Sequence, residues 1–323
     1  MDAYKITLLV VSGVLLIGFA WQLRPSAAVR PRALRETARQ AGLAVTPEVE
    51  PILIIRLRTQ TRATLVGTMV ALVAGIAVLL LLPTPDAYVA GPFLLIALAG
   101  VGGVIGNAVA EGRAALAPLD DRPRLARTPT PTRTDYLSVV DRWTAPVSLG
   151  ASALALVGLA TLITANPDGA FGDAGLVELW LPGAILWVLA LASAAVGRVL
   201  TTRILQRGQP AGDDVELAWS DALRSRTLSV FAQTPATGAF CSLALALLSV
   251  SSAASGSSAA AQSISLWSIL SVVALTLAFS GVTVWSTVSM RTPHYLVTLW
   301  PAVAAQLRAA PGPEPVPSGQ DHR

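Results

Sequence analysis

Residues 227–290 read TLSVFAQTPATGAFCSLALALLSVSSAASGSSAAAQSISLWSILSVVALTLAFSGVTVWSTVSM, and this uncharged run of 64 residues decides the fold. A helix needs roughly 20 apolar residues to cross about 30 Å of hydrocarbon. The run therefore holds two crossings, about 229–250 and 266–288, joined by the Ser/Ala/Gly stretch 251–263. Working outward, five further uncharged runs each fit one crossing, with spans at about 4–22, 64–82, 91–110, 144–165 and 179–198. The expectation is an all-α polytopic transmembrane helix bundle of seven spans over residues 1–310. A disordered tail at 311–323 follows, with four prolines and little to bury.

Charge sets the orientation. The chain has 22 arginines and one lysine, and basic loops resist translocation. With the N-terminus outside, eight arginines follow span 1, six follow span 3, five follow span 5 and three follow span 7. All 22 then face the cytoplasm, whereas Lys5 is the one basic residue outside. This predicts a multi-pass protein of the cell membrane with a cytoplasmic C-terminus. The competing reading of the first run as a cleaved signal peptide is weak, because its basic region is Lys5 alone, offset by Asp2. One lysine against 22 arginines reads as the codon bias of a G+C-rich bacterial genome rather than as chemistry.

Hydrophobic residues make up 53% and charged residues 13%, against about 25% charged in soluble domains. The longest hydrophilic segment, residues 24–62, is too short to fold a sizeable core alone. The positive net charge is spread over four loops beside a membrane. That points to anionic inner-leaflet lipid as a partner rather than to nucleic acid. Cys241 is the only cysteine, so no disulfide forms within the chain.

Between spans 1 and 2, Pro31 is placed to open a short helix and Gly42 to end it, with Leu34, Ala38 and Ala41 as its apolar stripe. A second helix start follows, with Thr46 as N-cap and Pro47 at its first position, running on towards span 2. Val49, Glu50, Leu57, Arg58 and Thr61 recur as Val215, Glu216, Leu223, Arg224 and Thr227 at a constant offset of 166. Tyr136-Leu137 after span 3 matches Tyr295-Leu296 after span 7. These matches read as a 3+1+3 parallel repeat about an axis along the membrane normal, with chance similarity in biased composition as the alternative.

Chemistry is sparse. No ionisable residue lies inside any proposed span core, so the carboxylate that ion-coupled carriers bury is not expected. Two histidines, His294 and His322, make no metalloprotease pattern, and no phosphate-binding Gly-rich loop occurs. The pairs Asp120-Asp121 and Asp213-Asp214 read as loop acids answered by nearby arginines. No catalytic set, cofactor or metal site is predicted. Gly102 and Gly106 are spaced for close helix packing beside Asn107, which could also line a pathway. Glu50, Arg58, Glu216 and Arg224 are the candidate contacts with a cytoplasmic protein partner or lipid. Trp143, Trp180, Trp285 and Trp300, with Tyr88 and Tyr295, read as interfacial anchors. The function this pattern implies is a non-enzymatic, permease-like or partner-dependent membrane component. The alternative is a membrane-embedded enzyme acting on a lipid headgroup.

Overall fold

The computed structural model describes residues 10, 12–14, 16–18, 20–21, 31–43, 45–47, 49–81, 87–116, 131–165, 176–207, 214–253 and 293–309. Every element among them is helical: α1 (Pro31–Ala41), α2 (Glu50–Leu81), α3 (Ala87–Ala115), α4 (Arg133–Tyr136), α5 (Val139–Ala165), α6 (Leu176–Gln206), α7 (Asp214–Ala253), α8 (His294–Leu299) and α9 (Pro301–Ala309). Five of these, α2, α3, α5, α6 and α7, are long and apolar enough to cross a membrane. The chain is a multi-pass membrane protein. The expected span at 266–288 and the tail at 311–323 lie outside the described residues, as does much of the span at 4–22.

The five helices match five of the expected crossings but are longer, chiefly at their arginine-bearing ends. The α2 helix starts at Glu50, inside the lead-in helix expected to run on towards span 2, and α7 starts at Asp214, well ahead of the span near 229. Arg, Thr, Ser and Gln continue a helix well enough once it leaves the lipid, so the apolar run marks the crossing and not the helix.

Contacts fix the directions. Gly67 of α2 meets Gly102 and Gly106 of α3, and Gly75 meets Leu95 and Leu98, so this pair is antiparallel. Ala97 of α3 clusters with Cys241 and Leu245 of α7, while Glu111 meets Thr227, which makes that pair antiparallel too. Trp180 and Trp187 of α6 donate to the Leu156 and Leu149 carbonyls of α5 at 2.9 and 3.1 Å, again antiparallel. Hence α2, α5 and α7 rise together, and the ends at Glu50, Ala115, Val139, Gln206 and Asp214 gather at one end of the bundle.

At the centre stands α7. Its apolar window is 78% buried inside the protein, against 22–33% for the other four. Small residues allow this: Ala239, Ala244 and Ala246 are fully enclosed, and Gly183 of α6 abuts the Ser242 carbonyl and Ala246. Ser242 donates to the Gly183 carbonyl at 2.7 Å. The outer helices turn Val66, Val70, Leu154, Val157 and Val188 outward, which is the surface a lipid environment favours.

The loop segments at the gathered end fold together. Ala41, Val49, Leu53, Tyr136, Leu137, Trp219, Ala222, Leu228, Tyr295, Leu296 and Ala304 form one buried cluster, drawing on six parts of the chain. No hydrophilic segment could build a core alone, but several share one. Of the two placements open to its apolar stripe, on the membrane surface or under the bundle, α1 takes the second, packing here through Leu34, Ala38 and Ala41. Gly42 ends it with φ 64°, and the Leu43 amide donates back to the Ala38 carbonyl, a closure that suits glycine. Thr46 does not cap as expected. Its hydroxyl is buried without a partner, and its carbonyl instead accepts from the Val49 and Glu50 amides.

Candidate functional site

Two polar clusters lie within or beneath this shared end. In the first, α2 contributes Arg56, α3 Glu111 and α7 Thr227. The Arg56 guanidinium pairs with Glu111 Oε2 and donates to Thr227 Oγ1 at 2.8 Å and to the Leu223 carbonyl at 3.3 Å. The Thr227 hydroxyl, with one proton, is within reach of Glu111 Oε2 at 2.8 Å and the Leu223 carbonyl at 3.0 Å. Glu111 and Thr227 are wholly buried. Glu111 Oε1 and Arg56 Nε have no partner. Arg226 sits within electrostatic reach of both charges. A buried pair of this kind stabilises only when geometry is good and both charges are present, because desolvation opposes the attraction.

This corrects the expectation that no carboxylate is buried. Glu111 follows the apolar run ending at Ala110 by one residue, and α3 continues past it to Ala115. The arrangement can clamp three helices. Its guanidinium and its carboxylate neutralise each other.

The second cluster surrounds Asp221, also wholly buried. Tyr136 donates to Oδ1 at 2.8 Å and the Trp300 indole to Oδ2 at 3.0 Å. Burial, and then the Asp221 charge, raises the Tyr136 and Tyr295 hydroxyls above the ordinary tyrosine range, so both stay protonated donors. Tyr295 donates to the Ala41 carbonyl at the end of α1. Trp300 and Tyr295, expected as membrane-interface anchors, are thus parts of this core, and Trp180 is a helix-packing residue. Trp143 is well exposed, at 62%, while Trp285 and the Tyr88 side chain lie outside the described residues. The two Tyr-Leu segments lie side by side: Thr298 donates to the Asp135 carbonyl at 2.6 Å, and His294 Nε2 lies 3.0 Å from the Thr134 carbonyl.

The sequence-derived candidates divide. Gly102 and Gly106 sit in the α2–α3 contact, where a Cβ on Gly106 would run into the Ala63 carbonyl and one on Gly102 into Gly67 and Ala71. Asn107 is half-buried beside them. Glu50 and Arg58 are exposed at the shared end. Arg224 is half-buried and donates to the Arg207 carbonyl at 3.0 Å, just past the end of α6, while Glu216 is half-buried near the start of α7. Among the described residues, no group of three His, Cys, Asp or Glu could hold a metal. Sequence reasoning misses Arg56, Glu111, Asp221 and Thr227, since their partners lie 55 to 171 positions away. The one local signal is an acid placed immediately after an apolar run.

Comparison with family models, with curated proteins and with solved structures finds no match to this chain.

Proposed function

We propose that this chain is a non-enzymatic, partner-dependent component of a bacterial cell membrane, permease-like in build, with seven spans, the N-terminus outside and the arginine-rich end in the cytoplasm. The observation that carries this reading is the shared core at that end. Segments from across the chain are locked around Asp221 and Arg56, while Glu50 and Arg58 remain exposed at the same end. A rigid, charged platform of this kind is suited to docking a cytoplasmic protein.

The 3+1+3 repeat belongs to the same proposal. Supporting it, α2 and α7 rise in the same direction and carry Glu50 and Glu216 in their first turns, where acids complement the helix dipole. The bonding also crosses between halves: Tyr136 of the first reaches Asp221 of the second, and Tyr295 of the second reaches Ala41 of the first.

The test uses the full chain in its native membrane. A photo-crosslinking amino acid at Arg58 should give one discrete protein adduct, lost when Glu50→Lys is added. The same probe at Leu154, exposed on the outer face of α5, should give none. Crosslinks to lipid alone from both positions would refute the docking reading. Alkaline phosphatase fused after Arg127 should be inactive, and its export would overturn the orientation.

A further inference from the structure

Arg133, Arg142 and Arg198 converge with no ion pair to an acid among the described residues. The register of α5 against α6, fixed by the Trp187–Leu149 and Trp180–Leu156 bonds, sets Arg142 opposite Ala194 and Arg198 opposite Ser138. The two guanidinium-bearing positions are then about one helical turn apart along the bundle, on the order of 6 Å. Arg133 stands in α4, immediately before α5, within electrostatic reach of both. The acids nearest in sequence bond at helix starts rather than to these arginines. Asp135 accepts from the Thr132 amide and hydroxyl at 2.6 and 2.8 Å. Asp141 accepts from the Ser138 amide and hydroxyl at 3.3 and 2.7 Å. Both close the starts of their helices, and Asp141 Oδ1 has no partner at all. The Nε atoms of Arg133 and Arg142 are likewise buried and unpartnered. Among the described residues, the ion pair of Arg56 with Glu111 involves none of these three arginines.

Three like charges held together with idle buried donors are an arrangement that an anion completes. Guanidinium groups match phosphate oxygens in geometry and charge. Burial and the charges of Arg198 and Arg142 hold the Arg133 guanidinium below its ordinary value, a penalty that a bound anion would remove. The surroundings point to a lipid source. Trp143 is 62% exposed next to Arg142, and Val147 and Val196 are exposed on the outer faces of the same two helices. The group stands at the end of the bundle that carries the arginines, where the apolar outer faces of α5 and α6 give way to charge.

We infer that Arg133, Arg142 and Arg198 form a binding site for the phosphate of an anionic phospholipid, whose acyl chains lie along Trp143, Val147 and Val196. The site does not depend on the proposed protein partner. It is tested with the purified full chain in phosphatidylcholine nanodiscs, titrated with phosphatidylglycerol and followed by native mass spectrometry and thermal melting. The parent should bind phosphatidylglycerol in preference to phosphatidylcholine and melt higher with it. R142Q/R198Q should bind it at least tenfold more weakly, and R142K/R198K should retain part of the preference. The exposed Arg198→Gln alone, which leaves the core untouched, should also weaken binding and keeps the test valid if the double variant fails to fold. Equal binding by R198Q and the parent, or no preference over phosphatidylcholine, overturns the site. Saturation by inorganic phosphate alone, with no further response to phosphatidylglycerol, overturns the lipid assignment.

Discussion

The glycine contact between α2 and α3 and the polar clusters at the arginine-rich end hold helices together by opposite means. Gly67, Gly102 and Gly106 bring two backbones together with almost no side chain between them. At the arginine-rich end, Arg56, Glu111, Thr227, Tyr136, Asp221 and Trp300 join the same and neighbouring helices through buried polar bonds. In lipid, apolar side chains gain little by meeting each other, so helices associate through close packing or interhelical hydrogen bonds. This chain uses the first along the middle of the bundle, between α2 and α3 and where Gly183 of α6 abuts α7, and the second at its arginine-rich end, where Arg56 and Glu111 also tie α2 to α3. The difference teaches that a bundle can be loose in composition and still specific, provided each junction uses one of the two devices.

The largest effect should come from splitting the buried pair. Glu111→Leu leaves Arg56 without its counter-charge and should cost about 3–5 kcal/mol, read as a lower melting point in detergent. Adding Arg56→Met to it should restore most of the loss. A double variant no more stable than Glu111→Leu would show that the pair contributes more than charge balance.

Next comes the glycine contact. Gly106→Leu or Gly102→Leu must push α2 and α3 apart and should lose stability at the upper end of about 1–3 kcal/mol. If both variants melt like the parent, close packing does not hold this pair and the comparison fails.

Tyr136→Phe should cost about 1.5 kcal/mol, since Asp221 loses the Tyr136 hydroxyl as a donor. The pH dependence sharpens this. Because burial raises the folded Tyr136 value above an ordinary value of about 10, its stabilisation is complete below about pH 10 and is lost as pH rises through the folded value. The phenylalanine variant should therefore lose less stability above pH 10 than the parent does, and parallel alkaline melting curves would contradict the assignment.

The smallest effect is a control. At Gly150 and Gly158 a Cβ would meet nothing within 4 Å, so leucine there should change stability by less than about 0.5 kcal/mol.

How much is legible follows from where the signal resides. Crossings are readable because hydrocarbon demands an unbroken apolar run, and five such runs are membrane-length helices here. Gly102 and Gly106 are readable as a pair because their spacing lies within one helix. Gly67, which faces them, gives no such sign, since helix register is a tertiary property. Glu111 escapes the sequence pattern because the end of an apolar run is not the end of burial. Protein can replace lipid around a charge, and α2 and α7 do so there. Residue type alone puts Trp300 and Tyr295 at the membrane interface, and only their bonds to Asp221 and Ala41 assign them to a core.

The clamp at Glu111 also has an order of assembly written into it. Arg56 and Glu111 are separated by 55 positions and Thr227 follows Glu111 by 116. At roughly 5–20 residues per second, synthesis brings Thr227 out about 6–23 s after Glu111. Through that interval α2 and α3 can neutralise each other's charge and enter the bilayer as a pair. The most enclosed helix then inserts last of the five, into a place that protein rather than lipid has prepared. A nascent chain halted before Thr227 would hold a paired carboxylate with an incomplete hydrogen-bond shell, a state for membrane quality control to recognise.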